Sequence, residues 1–159
     1  MAVLKSVLDK KKTLTILTFT IIYTLSGCAI TRQWVAESKY IDSALEDHVY
    51  QQPCTEVWLA ARAVLFGNDY QIRMSDRDAL VVETEWKKDD LGEHRVLFQG
   101  YEPAEHTCRV KALQAREIAS GDIRVDRDTT MEWKLLQEVD PPTAHLVRAG
   151  ARQAGQEAR

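Results

Sequence analysis

Three cysteines and four histidines are the side chains of this 159-residue chain best suited to chemistry, and their spacing limits what they can do. His48, His94, His106 and His145 stand far apart. None lies in a metal-binding spacing such as His-Glu-x-x-His, so they read as scattered surface residues. No serine sits in Gly-x-Ser-x-Gly, and beyond residue 28 no glycine-rich loop is available to cradle phosphates, which removes the common hydrolase and nucleotide signatures. Asp76, Asp78, Glu83 and Glu85 crowd one expected hairpin, with Asp126 and Asp128 further on. A calcium loop needs more oxygen ligands and a turning glycine, so these carboxylates read as a solvated edge. Cys54 and Cys108 find no local support as nucleophiles paired with a histidine. They can instead form a disulfide in an oxidising compartment, or serve as two small buried hydrophobes. The expectation is therefore a non-enzyme with no catalytic residue, no metal, no cofactor and no small-molecule substrate.

Cys28 stands apart from the other two. It closes the run Leu14 to Cys28, LTILTFTIIYTLSGC, which follows the basic cluster Lys10, Lys11 and Lys12. A short positive region, about a dozen apolar residues and a small-residue tail make a secretory signal. An uncleaved span needs about twenty apolar residues, and this stretch is shorter and interrupted by Thr15, Thr18, Thr20 and Thr24. Its end, Leu25-Ser26-Gly27-Cys28, resembles the lipobox of bacterial lipoproteins. The resemblance implies that the Cys28 sulfur takes a diacylglycerol, that cleavage falls before Cys28, and that the freed amine is acylated. Each buried methylene then contributes roughly 0.8 kcal/mol, so two or three acyl chains hold almost permanently. Ala29 in place of aspartate implies sorting to the outer membrane, with the periplasmic face expected.

Composition narrows the partners. The signal, residues 1–27, holds Lys5, Lys10, Lys11 and Lys12 against Asp9, so residues 28–159 keep 17 of the 21 basic and 23 of the 24 acidic side chains, a net charge of about −6. Their basic residues are scattered singly and form no stripe to neutralise phosphates, so no nucleic-acid partner is expected.

The elements that must carry these residues follow from hydrophobic period. Residues 28–45 show no sustained alternation and read as a lipidated tether, with Trp34 and Tyr40 free to sit at the membrane interface, on the domain or on a partner. An α+β domain is expected over 46–140. It begins with a short strand at 46–52, then a helix at 53–66 whose Val57, Trp58, Ala61, Val64 and Leu65 form one buried face and whose exit is Gly67. The period then falls to two. Tyr70, Ile72 and Met74 belong to one strand and Leu80, Val82, Thr84 and Trp86 to the next. Lys87 to Gly92 reads as a turn, residues 95–101 as a third strand, and residues 106–117 as a fourth with a bulge where the phase slips at Leu113 and Ala115. Ile123 and Val125 begin a last short strand. Thr129 or Thr130 caps a helix carrying Met131, Leu135, Leu136 and Val139. Residues 141–159 are expected to be a helix that frays to disorder near Gly155.

The expected fold class is thus α+β: a single small domain in which a curved antiparallel sheet is packed by one N-terminal and one or two C-terminal helices. The order of elements, with the tryptophan that closes LVVETEW, looks like the helix-grip domains of the BamC-type lipoproteins of outer-membrane β-barrel assembly. That resemblance implies a non-catalytic accessory or assembly subunit that binds other envelope proteins while held to the bilayer through acylated Cys28. A grip-shaped sheet can also enclose an apolar cavity, so a periplasmic ligand-carrier or sensor is the alternative, with Tyr70, Met74, Phe98 and Trp86 as candidate lining residues.

Overall fold

The computed structural model describes residues 30–90, 92–118 and 120–159. The signal sequence and the expected lipidation residue Cys28 lie outside the described residues. The chain is α+β, and it divides into two compact units.

The larger unit, Ile41–Arg148, holds the sheet and its core. Its six strands are β1 (Ile72–Asp76), β2 (Val81–Thr84), β3 (Lys87–Asp89), β4 (Gly92–Tyr101), β5 (Arg109–Glu117) and β6 (Ile123–Arg127). They run antiparallel in the order β1-β2-β4-β5-β6, with β3 paired to the start of β4. Two helices, α2 (Cys54–Gly67) and α3 (Thr129–Val139), pack against the sheet. The apolar face expected of α2 is the one it buries, Val57, Trp58, Ala61, Val64 and Leu65 together with Cys54. Facing them from the sheet are Val82, Val96, Phe98 and Ala112, and α3 adds Met131, Leu135 and Leu136. These positions alternate along each strand because successive side chains point to opposite faces.

Several local expectations are corrected. Residues 30–46 form a helix, α1, rather than an irregular tether, and its last turns send Ile41 and Leu45 into the core. Residues 46–52 make no strand; Tyr50 forms a single bridge to Cys108. Gly67 is still helical, and the left-handed exit falls on Asp69 at φ 58°, while the Asn68 side chain donates to the Val64 carbonyl at 2.7 Å. The expected turn Lys87 to Gly92 is the hairpin of β3 and β4. Ladder register between β4 and β5 is continuous from His94↔Arg116 to Tyr101↔Arg109, so no bulge lies at Leu113 or Ala115. The bulge is instead in β1, between Ile72 and Met74. Asp128 rather than a threonine caps α3, accepting from the Met131 amide at 3.0 Å.

The smaller unit contains the described residues 30–40 and Ala149–Arg159, the latter within α4 (Pro141–Glu157) and its end. No fraying begins at Gly155: α4 continues to Glu157. A Cβ at Gly150 would overlap the Tyr40 ring, and one at Gly155 would lie 2.5 Å from Glu37 Oε1. Glycine at these two positions is what lets the helices approach this closely. Arg159 Nε donates to Gln33 Oε1 at 2.7 Å. No described helix is long and apolar enough to cross a membrane.

Candidate protein-docking face

Cys54 and Cys108 are bridged, with Cα atoms 4.7 Å apart. The link ties the start of α2 to the residue before β5, and both side chains are fully buried. Closing a loop of 54 residues limits the unfolded chain, an effect of about 4 kcal/mol on the chain-entropy model.

The four candidate cavity residues are not brought together. Tyr70 and Phe98 are buried on the core side of the sheet, while Met74 and Trp86 are exposed. Between α2 and the sheet, beside Trp58, Phe98 and the disulfide, the free space is about 10 Å³. That volume holds at most one water molecule.

Sequence reasoning placed all four histidines at the surface, and two are not there. His94 is buried in β4, its Nε2 2.9 Å from the Tyr70 hydroxyl and its Nδ1 3.3 Å from Asp89 Oδ2, a spacing suited to an ion pair but out of line for a hydrogen bond. Asp89 in turn lies 3.3 Å from Arg116 Nη1. The tautomer in which Tyr70 donates to Nε2 puts the Nδ1 proton, rather than a lone pair, against the carboxylate. Tyrosine, histidine and aspartate in series can relay a proton. Here, though, the Tyr70 hydroxyl is buried, and burial first, then the Asp128 and Asp89 charges, raise its pKa. The buried His94 Nδ1 has no hydrogen-bond partner, so the series is interrupted at the imidazole. His48 is half-buried beside Tyr50, and burial lowers its pKa against the opposing pull of Asp140. Among the described residues no group of three or more His, Cys, Asp or Glu side chains is placed to hold a metal ion.

The sheet's other face is a different kind of surface. Residues paired across strands share a face, and one row reads Met74, Glu83, Leu97, Leu113, Arg127; the next reads Arg95, Ala115, Val125. Met74 and Val125 are 44% and 57% exposed, Ile123 is 55% exposed, and Leu97 and Leu113 are half-buried between them. Beside this apolar centre sits a charge cluster. Glu83, only 8% exposed, takes Arg73 on one carboxylate oxygen and Arg95 on the other, each at 2.7 Å. Arg73 is the extra residue of the β1 bulge, opposite no residue of β2. The Arg95 guanidinium also lies 5.0 Å from the centroid of the Trp86 ring, a cation–π contact. Two cations share one anion, and exposed Lys111 adds a third positive charge nearby. The expectation that Glu83 belongs to a solvated acidic edge is thus corrected: its carboxylate is covered by arginines.

The molecule so defined is an α+β domain with one sheet face packed by helices and the other open, apolar at its centre and carrying charges of both signs at its margin, Arg73, Arg95 and Lys111 with Asp76 and Glu117. No protein-family model matches the chain, and no curated protein matches it either.

Proposed function

We propose that this protein is a lipid-anchored envelope lipoprotein without catalytic activity, which holds another envelope protein against the open face of its sheet. The observation that carries the reading is the apolar patch of exposed Met74 and Val125 around half-buried Leu97 and Leu113, beside Trp86 and the Arg73–Glu83–Arg95 cluster. Tryptophan, methionine and arginine around an apolar centre are the residue types that dominate binding energy at protein interfaces. The Arg73–Glu83–Arg95 cluster holds two cations to one anion beside this centre, which favours a partner that sets a carboxylate against it. Anchoring through Cys28, at the outer membrane and facing the periplasm, rests on the lipobox-like Leu25-Ser26-Gly27-Cys28. The carrier alternative has no comparable support, since the space beneath α2 is about 10 Å³.

The test is isolation from native membranes in mild detergent, comparing the natural chain with Trp86→Ala and Arg95→Ala. A protein recovered in stoichiometric amount with the natural chain, and lost with both variants, supports the reading. Recovery of no stoichiometric partner, or of one that both variants retain, contradicts it.

A further inference from the structure

The exposed side of α1 is chemically one-sided. Ile30 and Trp34, one helical turn apart, are 69% and 68% exposed, and Val35 adjoins them. Ile41 and Leu45 continue the same side of the helix and are packed into the core, while no other described residue covers Ile30 and Trp34 in the first half of that apolar stripe. The other exposed side chains between residues 30 and 40 include Arg32 and Lys39 and no carboxylate. Glu37, the one acidic residue of this stretch, is turned in against Gly155. A helix with exposed Ile, Trp and Val flanked by cations, on a chain otherwise acidic, has the composition of a segment lying in a lipid interface.

We infer that the first turns of α1 lie in the headgroup region of the leaflet that holds Cys28, with Ile30, Trp34 and Val35 inserted. This rests on the anchor reading above and adds a second contact to it. The geometry of the chain leaves little choice once Cys28 is acylated. One residue, Ala29, separates Cys28 from Ile30, two steps that span at most about 7 Å, and Trp34 follows about 6 Å further along the helix. Both side chains are then held within the depth of the interface, where an indole ring is favoured because its body is apolar and its N–H is polar. Tyr40 does not share this role, because its ring rests over Gly150.

The experiment uses the full acylated protein in phosphatidylethanolamine and phosphatidylglycerol vesicles, with mass spectrometry of Cys28 on the same preparation. The Trp34 contribution to fluorescence is taken as the difference between the natural chain and Trp34→Phe, a change at an exposed position. The inference predicts a blue-shifted Trp34 signal, quenched by lipids brominated high on the acyl chain and shielded from aqueous iodide. Acylated Cys28 with Trp34 quenched by iodide and not by bromolipid overturns the inference and leaves the anchor standing. Trp34 reached by neither quencher means that protein covers it, which also overturns the inference. An unmodified Cys28 removes the anchor and the inference together.

Discussion

Glu83 Oε1 lies 2.7 Å from Arg95 Nη1, an ion pair on the sheet face turned away from the core, and the same guanidinium sits over the Trp86 ring. Arg95→Met removes that ion pair while keeping most of the stem packing. The expected cost is about 1–2 kcal/mol in urea unfolding, because Glu83 is nearly buried and loses one of its two partners. The same change is expected to weaken partner capture by more than it weakens the fold.

Reduction of Cys54–Cys108 is expected to lower stability by about 4 kcal/mol without changing the native sheet. Thermal unfolding with and without reductant, with far-ultraviolet circular dichroism below the transition, checks both parts.

Tyr70→Phe leaves His94 Nε2 buried without its partner. The expected loss is about 1–2 kcal/mol, read from denaturant midpoints, with no change in partner capture because Tyr70 lies on the core side of the sheet.

Two groups set the response to acid. Burial lowers the His48 pKa, and its Nε2 has no hydrogen-bond partner, so the unfolded chain binds the proton more readily than the folded one. That contribution is complete above the ordinary histidine value of about 6.5 and is lost as pH falls below it. The Asp140 carboxylate, held low by its hydrogen bond from Thr143, adds a further loss once pH falls below the usual carboxylate range. Stability measured from pH 8 to pH 3 is expected to decline in two stages. His48→Phe should flatten the first stage and leave a smaller second one, because the His48 charge is a minor part of what holds the Asp140 carboxylate low while the Thr143 hydrogen bond remains.

Gly150→Ala at an exposed helical site would add about 1 kcal/mol of helix propensity. Here it is expected to destabilise, because the new methyl group meets the Tyr40 ring. Combining it with Tyr40→Leu should restore the gain, as followed by proteolysis of the terminal helices.

How far the sequence carried this account differs from element to element. Helix α2 was legible because five apolar residues keep helical spacing, and the β1–β2 hairpin because its period of two flanks a polar turn, although Tyr70, Leu80 and Trp86 fall outside its strands and a bulge breaks the alternation after Ile72. Helix α1 was not, since Ser38 interrupts its stripe between Trp34 and Ile41 and half of that stripe meets no core. The slip in phase at Leu113 and Ala115 suggests a bulge to a reader of the sequence, whereas it records a strand apolar on both faces. That was the available signal for the open face: alternation shows which residues share a side, and apolar residues on both sides mark a second face that is itself partly apolar. His94 was legible in the same way, in step with Val96 and Phe98. The Arg73–Glu83 pair was not, because it depends on a bulge that no residue type marks. Gly150 and Gly155 read as weak points of a helix, and only the neighbouring Tyr40 and Glu37 show why small residues stand there.

The most direct test of the docking face places a photo-crosslinking residue at Val125, at the apolar centre, and in a separate variant at Leu146, exposed on α4. Irradiation in native membranes, followed by mass spectrometry of adducts, is expected to give one protein adduct from position 125 and none from position 146. No adduct from position 125, or the same adducts from both positions, would contradict the account.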